Sequence, residues 1–239
     1  MFSSFISPLV RTLNRFKYNI SDNRRISYSQ SGEDLIIEQV FMVLGRKLIS
    51  YLDLGANHPT RFSNTYLFYQ KGGAGVCVEP DPTLQPLFKK LRSRDVLLTC
   101  GVGLKEGEAD FYIMTTNTLN TFSKEEADRY AGYGRQKIER IIKLPLKPLN
   151  TILAEHFETC PNLISLDIEG LDFQILRSLD FGKWRPEVFC IETLTYTEDK
   201  TERKLQEIIE FMKGNAYMVY GDTYINTIFV DTQAWGKRR

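Results

Sequence analysis

The residues best placed to do chemistry follow short apolar runs. Ile49-Ser50-Tyr51-Leu52 leads into Asp53-Leu54-Gly55-Ala56-Asn57-His58-Pro59, and the run from Gly75 ends on Glu79. In open α/β sheets, ligands sit in the crevice beyond the carboxyl ends of the strands. At such a place Gly55 permits a tight turn and a close backbone approach, and Asp53 supplies a carboxylate. Glu79 comes about 26 residues later, near the spacing from a glycine loop to a ribose-binding acid, and can accept both ribose hydroxyls. The full Gly-x-Gly-x-x-Gly fingerprint that brings pyrophosphate to a helix N-terminus is missing, because His58 and Pro59 fill the loop. S-adenosylmethionine has no phosphate and carries a sulfonium and an amino-acid end, so an acidic loop with fewer glycines suits it better. Past the third run, Cys100-Gly101-Val102-Gly103 offers small residues where an adenine can lie. A nicotinamide-dependent oxidoreductase and a non-catalytic Rossmann-like binding module are the competing readings. The lone Gly55 weighs against the first, and acids at four strand ends weigh against the second.

Methyl transfer from a sulfonium is an in-line displacement. The protein must align donor and acceptor and help a hydroxyl lose its proton. The candidates are His58, Asp167, Glu169 and Glu192. An imidazole titrates near neutrality, so His58 is a chemically sensible base, or else it fixes its loop. Asp167 and Glu169 follow one strand and Glu192 ends the next, so the three acids can converge. Either they hold a divalent cation such as Mg²⁺ that acidifies a hydroxyl, or one acts as base while the others bind hydroxyls. The metal-free reading is the expectation. Lys89, Lys90, Arg92 and Arg94 read as a solvated helix face, His156 as a surface or packing residue, and Phe122, Tyr130 and Tyr133 as loop aromatics that stack on a substrate or pack the loop.

The elements that must position these groups alternate. Ile36, Ile37, Val40, Phe41 and Leu44 mark a helix from about Asp34 to Leu44. Helices are expected from Ser63 to Gln70, Thr83 to Leu91, Asn150 to Phe157, Leu171 to Leu179, and around Leu205 to Met212. Strands are expected at Ile49 to Asp53, Gly75 to Glu79, Val96 to Cys100, Ala109 to Met114, Ile141 to Leu146, Leu163 to Asp167 and Glu187 to Glu192. Tyr217 to Tyr220 and Tyr224 to Val230 suggest a closing hairpin. The fold class is therefore α/β: a Rossmann-like, mostly parallel, doubly wound sheet with a C-terminal antiparallel hairpin. Residues 27–232 form the domain. Residues 1–26 read as a helical appendage, 233–239 as a tail, and the polar stretch within 115–147 as a substrate or lid insertion.

Hydrophobic residues at 42% and charged residues at 26% describe an ordinary globular chain rather than a disordered one. A net charge of +1 provides no field toward nucleic acid, and none is expected as a partner. No apolar run approaches the length of a membrane span. Phe5, Leu9, Leu13 and Phe16 fall at helical spacing beside Arg11, Arg15 and Lys17, a pattern for packing on the domain, for a membrane-surface helix or for contact between subunits of a homo-oligomer. Cys77, Cys100, Cys160 and Cys190 form no CxxC pair and read as reduced thiols, in keeping with a cytoplasmic location.

Taken together, several segments resemble the FkbM-type methyltransferases. They are Tyr28-Ser29-Gln30-Ser31-Gly32-Glu33-Asp34, Asp53 to Pro59, Ser63-Asn64-Thr65, Val78-Glu79-Pro80, Ser165 to Gly170, and Arg185-Pro186 through Ile191-Glu192. Their order and spacing span about Ser27 to Val230. The resemblance implies a class I methyltransferase fold, S-adenosylmethionine as donor with S-adenosylhomocysteine as product, and O-methylation of a sugar, of a polysaccharide or nucleotide-linked unit, or of a polyketide-type product. It implies cofactor contacts from Asp53, Gly55, Asn57 and Glu79, and Pro80, Cys100, Gly101, Val102 and Asp167 at neighbouring strand ends are expected beside them. It also implies that Gln30, Gly32 and Glu33 fold over the same crevice.

Overall fold

The structure, a computed structural model, describes residues 25–197 and 201–238. The amphipathic pattern from Phe5 to Phe16 lies outside the described residues. Near-continuous apolar runs form four strands buried on both faces, as parallel strands under helices must be: β1 (Ser50–Leu54), β2 (Ala74–Val78), β7 (Leu163–Leu166) and β8 (Val188–Glu192). With β3 (Val96–Leu98), β9 (Tyr217–Asp222) and β10 (Asn226–Asp231) they make a seven-stranded sheet in the order β3-β2-β1-β7-β8-β10-β9. The closing hairpin is as expected, and its second strand inserts antiparallel between β8 and β9. Chain order reverses between β1 and β7, so the crevice opens beyond the ends of those two strands.

Helices cover both faces. On one lie α1 (Glu33–Val43), α2 (Tyr66–Gln70) and α3 (Gln85–Leu91), packing Ile37, Phe41, Phe68 and Phe88. On the other lie α5 (Leu149–His156), α6 (Asp172–Arg177) and α7 (Gln206–Gly214), packing Ile152, Leu176 and Met212. A short α8 (Thr232–Gly236) follows β10, and its Trp235 packs on Tyr220.

Two expectations are corrected. The run Val96 to Cys100 is not one strand. β3 ends at Leu98, and the chain turns into β4 (Gly101–Gly103), which joins a second sheet, β4-β6-β5, with β5 (Gly107–Met114) and β6 (Ile138–Pro148). A Cβ on Gly101 would stand 2.4 Å from the Phe122 ring, so glycine allows this crossing. The polar stretch from Thr115 to Arg135 is not irregular either, since it holds α4 (Lys124–Gly132). The Ser123 hydroxyl accepts the Glu126 N–H at 3.2 Å, and Glu125 and Glu126 sit favourably in the first turn.

A third correction concerns Arg92, which is buried rather than on a solvated face. Its Nε donates to Asp95 at 2.6 Å, and its two Nη atoms donate to Thr65 Oγ1 at 2.9 Å and Ser63 Oγ at 3.3 Å. Tyr51, Tyr66 and Tyr69 present ring faces to the guanidinium. Thr65 in turn donates to Asp53 at 2.5 Å, so this one cation ties α3 to the loop that follows β1. Arg92→Met strands Asp53 and Asp95 without their buried counter-charge. It should cost about 3–5 kcal/mol, read as a lowered urea midpoint with an unchanged m-value.

Candidate active site

The loop after β1 is shaped by its neighbours before any ligand. Gly55 adopts φ 80°, and a Cβ there would lie 1.7 Å from the Asp167 carbonyl oxygen. Only glycine lets the β1 and β7 ends meet in this way. The Gly55 and Ala56 N–H groups both donate to the Val78 carbonyl, at 3.0 and 3.1 Å. Asn57 also takes a left-handed φ, of 45°, which asparagine tolerates. Its N–H donates to Glu79 Oε2 at 2.7 Å, while the Asp81 N–H donates to Glu79 Oε1 at 2.7 Å. Each Glu79 oxygen keeps a further lone pair, so the carboxylate can still accept two hydroxyls. Burial pushes the Glu79 pKa up to about 7.

At the carboxyl ends of β7 and β8, Asp167, Glu169 and Glu192 bring carboxylate oxygens within 4.8 Å of one another. The Glu192 carboxyl hydrogen-bonds Asp167. Tyr130 OH, from α4, donates to Glu169 Oε2 at 2.8 Å. Burial, with Asp172 nearby, pushes Asp167 up to about 7. Burial and the neighbouring carboxylates also push Glu169 and Glu192 well above the ordinary range. Like charges this close cannot all ionise, so the cluster holds protons at neutral pH. Asp172 stands apart: its carboxylate accepts the Ile168 and Gly170 N–H groups and shapes the turn into α6.

Glu79 and the three acids line one cavity of about 520 Å³. That size suits a cofactor together with a small acceptor. Gln30, Gly55, Asn57, Pro80, Cys100, Gly101 and Val102 also line it. Sequence reasoning missed part of the wall, the polar residues Asn117, Thr118, Asn120 and Thr121 on one side and Thr195 and Thr197 on the other. The Asn-Thr-rich composition of residues 117–121 was the available signal.

Other expected residues stand elsewhere. Gly32 and Glu33 are not in the cavity wall. The Glu33 carboxylate accepts Ser31 N–H at 2.8 Å, Thr223 Oγ1 at 2.6 Å and Asn226 Nδ2 at 3.1 Å. Against burial, which pushes it up, these bonds hold Glu33 below the usual carboxylate range, as a staple between the 28–33 segment and β10. Asp53 lies beneath the wall in the Arg92 network. His58 is also outside the wall, and its Nδ1 faces the Thr60 and Arg61 N–H groups, each at 3.2 Å. It braces the loop, with the ring proton left to Nε2. Burial, with Arg61 beside it, lowers its pKa. Tyr133 packs against the small cluster around Met114 and Tyr130, and Phe122 packs at a tilt against Phe111 in the cavity wall.

The family model described as the methyltransferase FkbM domain matches residues 53–219. No curated protein matches the sequence. Among solved structures, the chain is similar to a 1,6-didemethyltoxoflavin-N1-methyltransferase from Burkholderia thailandensis solved with 1,6-didemethyltoxoflavin and S-adenosylhomocysteine. The identity is 13%, with 97% of this chain and 93% of that chain covered and a TM-score of 0.41. It is also similar to a TehB-like methyltransferase from Corynebacterium glutamicum, at 11% identity, 93% and 97% coverage and a TM-score of 0.40. A precorrin-6y C5,15-methyltransferase from Geobacter metallireducens follows at 11% identity, 89% and 93% coverage and a TM-score of 0.42.

The raised Asp167 pKa has a consequence for stability. A carboxyl whose folded pKa exceeds its unfolded value stabilises fully below the unfolded pKa, and that contribution is lost as pH rises to the folded one. Asp167→Asn should therefore gain in thermal midpoint relative to the wild type as pH climbs from about 4 to about 7, then level off. A difference in midpoint that stays constant across that range would contradict a proton held on Asp167.

Proposed function

The chain belongs to the FkbM methyltransferase family, and on that premise we propose that it transfers a methyl group to a sugar hydroxyl, on a nucleotide-linked or polysaccharide unit. It is an S-adenosylmethionine-dependent enzyme with a Rossmann-like class I sheet. The observation that carries the reading is the convergence of Asp167, Glu169 and Glu192 on the cavity that Glu79 also lines.

In this reading Glu79 accepts the ribose hydroxyls with the lone pairs that Asn57 and Asp81 leave open. Cys100, Gly101 and Val102 face the adenine, with Pro80 beside it, and Gly55 and Asn57 face the amino-acid end. Gln30 closes the crevice from above. When bound, the donor supplies a methyl carbon activated by the sulfonium. The acid cluster receives the acceptor hydroxyl, and its ionised member takes that proton as the oxygen attacks. Tyr130 keeps Glu169 turned toward the others through its hydroxyl. Desolvation and mutual repulsion make the cluster more basic than free carboxylates, which suits a base working near neutral pH. The same carboxylate spacing favours a second reading, in which a divalent cation sits among the three acids and acidifies the hydroxyl.

Three measurements test this. S-adenosylhomocysteine should raise the thermal midpoint while NAD leaves it unchanged, and a shift with NAD alone would sink the donor assignment. Transfer of a labelled methyl group to sugars should rise with pH through about 7, where Asp167 releases its proton, and Asp167→Asn should lose roughly 10²–10⁴ in kcat. Activity that survives exhaustive chelation supports the proton-transfer role, and activity abolished by chelation and restored by Mg²⁺ supports the cation.

A further inference from the structure

Two aromatic residues on the rim of this cavity are exposed and held in unfavourable backbone conformations. Phe62 is 66% exposed with φ 55°, and Tyr224 is 60% exposed with φ 76°. Bulky side chains rarely adopt a left-handed φ, and such strain persists only where the surroundings impose it. Here they do. The Ser63 N–H donates to the Tyr28 carbonyl at 2.9 Å just after Phe62. On Tyr224, the backbone N–H donates to Asp222 at 2.8 Å, the carbonyl accepts Lys204 Nζ at 2.7 Å and the hydroxyl donates to Glu202 at 3.0 Å.

The 28–33 segment joins the two. It meets the Phe62 loop through Tyr28, whose ring packs edge-on against Tyr66 at 4.8 Å, and it meets the Tyr224 turn through Glu33. Gln30 lies in the same segment and lines the same cavity. The Tyr224 turn borders the acid cluster on the side away from Glu79, because Asn226 pairs with Glu192 and the Thr193 N–H donates to the Ile225 carbonyl. The Tyr224 end of this rim therefore lies beside the acid cluster, and the 28–33 segment connects it to Phe62.

The charge of the wall narrows what can stand there. Among the described residues, five carboxylates line the cavity, those of Glu79, Asp167, Glu169, Glu192 and Glu202, and no Lys, Arg or His does. Among the described residues a phosphate would meet no counter-charge, and like charge wherever these carboxylates ionise, whereas phosphate sites are normally built from Arg, Lys or helix N-termini. Besides an apolar part that includes Leu119, Leu194 and Ile225, the uncharged wall offers amides and hydroxyls next to the exposed rings, a combination that matches a sugar, with an apolar C–H face and an edge of hydroxyls. We infer that Phe62, Gln30 and Tyr224 form a subsite for a neutral sugar ring adjacent to the one methylated, so that the acceptor is a glycan or glycoside without phosphate. This rests on the sugar-methyltransferase reading and decides between its two acceptor classes.

The test uses saturation-transfer NMR on the full chain loaded with S-adenosylhomocysteine, with a panel of neutral oligosaccharides and with UDP-glucose. The variants Phe62→Asn and Tyr224→Asn remove each ring while keeping a residue that tolerates the left-handed backbone. Neutral oligosaccharides should give ring-proton signals and UDP-glucose none. Each variant should weaken oligosaccharide binding about 5- to 10-fold, the size expected for losing one aromatic contact, with the thermal shift from S-adenosylhomocysteine unchanged. Preference for UDP-glucose, no signal from any neutral saccharide, or unaltered affinity in both variants would overturn the subsite. A wild type that S-adenosylhomocysteine does not stabilise would count against the donor site instead, and the saccharide measurement is then read on the unloaded protein.

Discussion

Where β1 ends, the Cα of residue 55 comes so close to the Asp167 carbonyl that no side chain fits between them. The Asp167 N–H donates to the Leu54 carbonyl at 3.0 Å, and the Gly55 N–H donates to the Val78 carbonyl at 3.0 Å. The ends of β7, β1 and β2 are thus stitched at one level, at the point where strand order reverses. Everything the site needs follows from that level. Glu79 stands one residue past β2, the 55–57 loop wraps over it, and Asp167 stands one residue past β7. A shift of one residue at any of these strand ends would turn a site carboxylate to the opposite face of the sheet.

Burying acids so close together is unfavourable, and the chain treats two groups of them in opposite ways. Asp53 and Asp95 share the Arg92 guanidinium, with hydroxyls and tyrosine rings closing the shell. They sit beneath the crevice and act structurally. Asp167, Glu169 and Glu192 have one another, Tyr130 and the cavity, with no basic side chain among the described lining residues. Their response is to hold protons. A group of carboxylates that keeps protons at neutral pH can release and recapture them in the same range, which is the property a base for a hydroxyl requires. The electrostatic cost therefore falls where chemistry can use it, while the counter-charge is spent on the scaffold.

The sheet and its helices were legible because burial imposes a period. Strands such as Leu163–Leu166 are apolar but for Ser165, and helices such as Gln206–Gly214 repeat apolar residues every three or four positions. The strand-end acids were legible for a related reason, since a βαβ unit fixes the distance from Gly55 to Glu79. Arg92 was not. Its neighbours Lys89, Lys90 and Arg94 suggested a wet face, and only the tertiary fold brings Tyr51, Tyr66 and Tyr69 around it. The helix Lys124–Gly132 was hidden by its polarity, although Ser123 and Glu126 carry the spacing of a capping pair. His58 left two readings open, a base or a brace for its loop, and the geometry favours the brace. A ring nitrogen already facing two backbone N–H groups is committed to the loop.

The two halves of the cavity differ in what holds them, and this difference governs what a family likeness conveys. The half proposed for the donor is made of strand ends and the first residues beyond them, whose positions follow from sheet geometry. The half proposed for the acceptor is made of the 117–122 segment, the helix above it, the residues after β8 and the turn before β10. These are joined by side-chain contacts with no sequence period: Arg129 to the Tyr196 carbonyl at 2.5 Å, Tyr130 against the Tyr196 ring, and Thr121 to the Glu169 carbonyl at 2.8 Å. Such contacts lie outside the sheet ladder, whereas Gly55 is held at it by the close approach of the Asp167 carbonyl. The donor is thus common to the family, and the acceptor has to be read from the charge and shape of this chain's own loops.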